Sequence, residues 1–173
     1  LYDVTTTRSG RETAMTGYVR ATVAGGDGDR IAAMAADVCG HADAGATALR
    51  EAKYAWAGQL RASGDRDQAL KLYKELASDV KTREGSEAAY YVIEALFESG
   101  DLDKTESEVF AFSDREPNAY WLAKAFLLLG DVYVRKGDTF QARATYQSVA
   151  DGYSPADDGI VDEAKERIAK LKN

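Results

Sequence analysis

A Gly-Asp pair recurs along this 173-residue chain at Gly26-Asp27, Gly64-Asp65, Gly100-Asp101 and Gly137-Asp138, at intervals of 38, 36 and 37 residues. A near-constant period of that length marks a stack of supersecondary units rather than one closed globule. Each pair is flanked by two segments of helix length. Glycine suits the position just past a helix end, where the backbone turns left-handed and a Cβ would clash. Aspartate suits the N-cap of the following helix, where its carboxylate accepts orphan backbone N–H groups. Asp65 and Asp138 are followed three residues on by Gln68 and Gln141, which approximates a capping box. Each pair predicts a helix–turn–helix hinge.

Aligning the chain on these glycines exposes a common register. Seven residues before the glycine stand Val19, Ala57, Ile93 and Gly130, and four before it Thr22, Leu60, Leu96 and Tyr133. Five residues after it stand Ile31, Ala69, Thr105 and Ala142; nine after, Ala35, Tyr73, Val109 and Tyr146; twelve after, Val38, Leu76, Phe112 and Val149. Offsets of 5, 9 and 12 lie on one face of a helix. Small residues alternate with large ones, so paired helices can approach closely and interlock. The 30 alanines and two prolines favour helix over strand. Nine helices are expected, at about 11–24, 28–39, 46–63, 66–79, 85–99, 102–113, 117–136, 139–151 and 159–172. The ninth has Ile160, Ala164, Ile168 and Leu171 along one stripe and is expected to cap the last unit.

Composition excludes several classes. With 22 Lys and Arg against 29 Asp and Glu, the net charge of −7 argues against a nucleic-acid partner. One cysteine provides no internal disulfide, and one histidine leaves little for a metal site. The most apolar stretch, 120–134, carries Lys124 and Asp131 and is too short to span a bilayer, so it reads as a buried helix. Cys39 and His41 flank Gly40 at a helix end without an orienting group or oxyanion site, so no nucleophilic dyad is expected. The acids of 25–29 and of 151–163 lack the closing glutamate and spacing of a calcium loop and read as turn and N-cap residues. No catalytic residue, cofactor or metal ligand is assigned. Leu1 and Tyr2, with no initiator methionine or signal segment before them, predict an array that continues N-terminally in a longer protein, the alternative being a short disordered leader.

The constellation resembles the tetratricopeptide repeat family. In the fourth unit Leu129-Gly130, Tyr133, Gly137-Asp138, Ala142, Tyr146 and Pro155 fall at or near the family's signature positions. The second unit keeps Leu60, Gly64-Asp65, Ala69 and Tyr73, with Ala57 where the family often has glycine. The third departs at Ile93, Thr105 and Val109, and the first at Thr22, Ile31 and Ala35. The resemblance implies an all-α, α-α superhelix: a right-handed solenoid of antiparallel helix pairs forming one domain. Its units would be about 11–45, 46–84, 85–116 and 117–158, with a capping helix over 159–172.

The resemblance also implies a concave groove lined by the first helix of each unit, at 13, 10, 6 and 3 residues before the turn glycine. Those positions are Glu51, Tyr54, Gly58 and Arg61 in the second unit; Glu87, Tyr90, Glu94 and Phe97 in the third; Lys124, Leu127, Asp131 and Val134 in the fourth. The family's two-carboxylate clamp for chaperone C-termini is not expected, because Tyr54 and Gly58 stand where a lysine and an asparagine are needed. Tyr73, Tyr133 and Tyr146 fall in packing register, whereas Tyr90-Tyr91, Tyr120-Trp121 and the Phe110/Phe112 pair each put neighbours on different helix faces, leaving one of each for a ligand. The expected function is non-catalytic: a scaffold binding a peptide or helix of a partner protein that brings some positive charge. The first alternative is a structural spacer or self-association segment of a larger bacterial cell-envelope tetratricopeptide protein, and the second a segment of an enzyme whose catalytic domain lies outside it. The tail from Tyr153 to Asp158, followed by Glu163-Ala164, resembles repeats of bacterial outer-membrane assembly lipoproteins, which implies the cell envelope, with the cytoplasm equally open.

Overall fold

The structure, a computed structural model, describes residues 7–154 and 157–171. The expectations placed on Leu1, Tyr2 and Pro155 lie outside these residues. The described chain is all-α, with nine helices and no strand: α1 Arg8–Ala24, α2 Gly28–Gly40, α3 Ala46–Ser63, α4 Arg66–Leu76, α5 Arg83–Ser99, α6 Leu102–Ser113, α7 Ala119–Lys136, α8 Thr139–Gly152 and α9 Ile160–Lys170. Two compact units form: Leu1–Leu76 and Ala77–Asn173.

The hinges fold as their residues dictate. Gly26, Gly64, Gly100 and Gly137 all have positive φ, between 70° and 89°. At the last three, the aspartate N–H reaches back to Leu60, Leu96 or Tyr133 and the glycine N–H to Arg61, Phe97 or Val134. This is the Schellman pattern that satisfies the orphan carbonyls of a helix end. The first hinge differs: α1 stops one residue sooner, with Gly25 as its C-cap and the Gly26 N–H on the Val23 carbonyl. Asp27, Asp65, Asp101 and Asp138 each accept a backbone N–H from the helix that follows. Gln68 does reach back to Asp65, but its amide meets the aspartate side chain rather than the backbone N–H of a true capping box.

Burial repeats with the hinges. Of the twenty aligned positions, the sixteen at offsets −7, +5, +9 and +12 are buried and the four at −4 are half-buried. Inside the first unit, Met15, Val19, Met34, Val38 and Ala52 form one core. Inside the second, one core gathers on Ile93, Val109, Leu129 and Val132, and another on Leu127, Tyr146, Ile160 and Ala164. Within each unit every helix packs on the next, and odd helices also pack on the following odd helix: α1 on α3, then α5 on α7 and α7 on α9.

The expected boundaries shift where a cap overrides periodicity. Thr7 accepts the Gly10 N–H and starts α1 three residues early, and Asn118 caps α7, leaving Pro117 outside the helix. Helix α4 stops at Leu76 rather than 79 because the segment 77–82 belongs to the second unit's packing. There Arg115 donates to the carbonyls of Ala77 (2.6 Å) and Ser78 (3.1 Å), Val80 is buried, and Thr82 caps α5. Gly85 permits this close approach: a Cβ on it would lie 1.9 Å from the Asp79 carbonyl oxygen.

Candidate functional site

In the first unit the predicted face is occupied by an ion pair. Arg20 of α1 grips Glu51 of α3 with both Nε (2.9 Å) and Nη2 (2.6 Å). Tyr54 is half-buried, and Gly58 and Arg61 are exposed. Beside Arg20 a surface groove of about 600 Å³ runs past Thr13, Thr16, Gly17 and Thr47. Thr13, Thr16 and Arg20 sit 13, 10 and 6 residues before Gly26, the offsets at which Glu51, Tyr54 and Gly58 stand before Gly64.

In the second unit the predicted residues divide between core, ion pairs and surface. Leu127 is 1% exposed and belongs to the core, not to an open groove. It faces inward because both α8 and α9 pack on α7. Glu87 and Tyr90 are also buried, at 8% and 7%. Glu87 accepts the Tyr91 hydroxyl at 3.0 Å, and Glu94 accepts that of Tyr90 at 3.3 Å. Burial, then the Glu94 charge, pushes the Tyr90 phenol well above its ordinary range. Phe97 lies under the Arg135 guanidinium, 4.7 Å from the ring centroid, and its carbonyl accepts from the same arginine at 2.8 Å. Val134 is exposed.

Lys124 and Asp131 are not open groove residues, because α9 supplies partners to both. Lys124 pairs with Glu163 at 3.3 Å. Arg167 pairs with Asp131 and Glu163 and donates to the Leu127 carbonyl at 3.0 Å. Its guanidinium also lies 6.0 Å from the Tyr146 ring centroid. Helix α9 therefore lays a charged edge along α7. No turn glycine follows α9, so offsets counted from turn glycines do not reach its inward edge. The Glu163/Arg167 spacing of four was the available signal.

The aromatic pairs divide unequally. Tyr90 is buried and Tyr91 half-buried, whereas Tyr120 and Trp121 are both half-buried. All four join one cluster in which the Trp121 centroid lies 5.3 Å from Tyr90, 5.9 Å from Tyr91 and 5.0 Å from Tyr120. The Phe110/Phe112 pair does divide, with Phe112 buried and Phe110 46% exposed. Tyr73 and Tyr146 are core, and half-buried Tyr133 donates to Glu106 at 2.7 Å.

Several carboxylates of these edges carry a pH signature. Hydrogen bonds from Arg20 hold Glu51, and from Lys136 hold Asp103 and Glu106, below the usual carboxylate range. Such groups add stability that is complete above the unfolded pKa of about 4 and is lost as pH falls through the lower folded value. The melting temperature is expected to be level above about pH 5 and to drop below about pH 4. Glu106→Gln should flatten part of that acid limb; an unchanged slope would show that Lys136 is not coupled to folding through Glu106.

The remaining constellations lie at helix ends. His41 Nδ1 accepts the Asp43 N–H at 3.3 Å, and Cys39 is exposed. Asp27 caps α2, and Asp158 accepts the Ile160 N–H and the Tyr153 hydroxyl. Among the described residues no group of His, Cys, Asp or Glu could hold a metal ion, and no helix is long and apolar enough to cross a membrane. No family model matches the chain, and no curated protein matches it in sequence.

Proposed function

We propose that the chain is a non-catalytic protein-interaction scaffold of the tetratricopeptide type, a superhelix of helix pairs that binds a peptide or helix of a partner through the face lined by its odd-numbered helices. The observation that supports this reading is the repeated register. The same positions are buried around every hinge, so the same stripe of each odd helix is left to carry other residues. In the second unit half-buried Tyr91 and Trp121 lie beside that stripe, and Glu87 accepts the Tyr91 hydroxyl, the composition of a binding hot spot. No cofactor or nucleic acid has a part in it.

Capture of a partner from lysate tests the proposal. Tyr90→Phe/Glu94→Lys keeps the buried ring and reverses one charge, so helical CD and melting temperature should stay close to wild type while recovery of the partner falls at least about ten-fold. Equal recovery by both proteins would sink the binding face. Recovery of nothing but the chain itself would favour the alternative, a spacer or self-association segment. For that reading the specific observation is Phe140, 81% exposed at the start of α8.

A further inference from the structure

We infer that a second copy of this chain docks against α6, the two helices antiparallel across a two-fold axis that passes beside Ala111. This goes beyond the binding face of the odd-numbered helices and stands or falls without it. The first observation is a cleft of about 70 Å³ beside α6, lined by Ala89, Val92 and Phe112. Glu108, Ala111 and Arg115 line it as well, so the three share one side of α6 and of the turn that closes it. All three are exposed.

The second observation is charge. Other exposed cations of this unit find carboxylates: Lys81 pairs with Glu116, and Lys136 with Asp103 and Glu106. Among the described residues the Glu108 side chain has no ion pair or hydrogen bond. Arg115 spends only Nη2, on the carbonyls of Ala77 and Ser78, which leaves Nε and Nη1 for a carboxylate. Seven residues of helical chain hold the two charges about 10 Å apart along the axis. The third is symmetry. A two-fold axis that brings residue i to j also brings j to i. Ala111 and Phe112 lie midway between the charges, so an antiparallel pair of α6 helices sets each Glu108 opposite Arg115 of the other copy. A parallel pair would set like against like. At the axis stands Ala111, small enough for the helices to approach to about 8 Å. Exposed ion pairs are individually weak, so a weak, salt-sensitive dimer is expected.

Sedimentation equilibrium of the chain from about 0.01 to about 1 mM, at low and at high salt, is the test. The wild type should dimerise with rising concentration at low salt, and less at high salt. Glu108→Arg breaks no side-chain bond within the chain and should raise the dissociation constant at least about ten-fold. Arg115→Glu should do the same. An equimolar mixture of these two variants should dimerise within about three-fold of wild type, because each opposes its complement in the mixture and its like when alone. Phe140→Ser should leave dimerisation unchanged. A chain that stays monomeric to about 1 mM, a Glu108→Arg chain that dimerises like wild type, or a mixture no better than its components overturns the inference. So does a dimer that Phe140→Ser removes. Arg115→Glu also gives up the grip on the Ala77 and Ser78 carbonyls. Should its helical CD be lost, Ala111→Arg decides in its place by setting two cations together at the axis, and unchanged dimerisation there overturns the inference equally.

Discussion

Gly130→Leu should destabilise the second unit by about 3 kcal/mol, at the upper end of what overpacking a core costs. A Cβ built on Gly130 would lie 2.1 Å from Cε1 of Tyr146 and 2.5 Å from its Cδ1. The ring cannot swing away. Tyr146 is 1% exposed, and its hydroxyl is held by Asp131 at 2.7 Å. The helices α7 and α8 must therefore separate, which also loosens the core shared with Ile160 and Ala164 of α9. In urea, with a slope of about 1–3 kcal/mol per molar, the midpoint should fall by about 1–3 M. Gly58→Ala is the matched control, since nothing lies within 4 Å of its Cβ position on exposed α3 surface. It should raise stability by up to about 1 kcal/mol through helix propensity alone. A mild effect at Gly130 equal to that at Gly58 would mean that the fourth hinge is not packed in the repeat's register.

Ser86→Ala should cost about 2 kcal/mol, although it removes a single oxygen. Ser86 is fully buried, and its Oγ does two things at once. It donates to the carbonyl of buried Val80, and it accepts the Asn118 N–H at 2.8 Å. One hydroxyl thus ties the segment before α5 to the start of α7, 32 residues away. Alanine leaves both backbone groups without that partner, and the cost is their desolvation rather than the loss of contact area. Hydrogen exchange should report it locally: amides of 80–86 and 118–122 should lose protection by about thirty-fold, the equivalent of that free energy. Protection of α1 to α4 is expected to stay as it was. An Asn118 amide that keeps its protection in the variant would place its partner elsewhere.

The nine helices and four hinges were legible from the chain because their causes are local. A glycine that accepts positive φ, an aspartate that caps the next turn and an apolar stripe at offsets 5, 9 and 12 each act within a dozen residues. Sixteen register positions are buried as that stripe requires. The ends of α4, α5 and α7 were less legible, since Thr82, Asn118 and the grip of Arg115 on 77–78 compete with periodicity there.

The candidate face was legible only as a set of positions. Which of them are open depended on contacts between residues 15 to 40 apart in sequence. Leu127 was taken into the core, and Lys124 and Asp131 were met by Glu163 and Arg167 across 39 and 36 residues. Trp121, outside the groove positions but named with Tyr120 as a pair of which one is left for a ligand, became the centre of the aromatic cluster once α7 packed on α5. By itself, then, the sequence determined where helices begin, turn and bury a stripe, because backbone conformation and capping are short-range. Only tertiary packing decided which polar and aromatic side chains meet, because that depends on how one helix lies against the next.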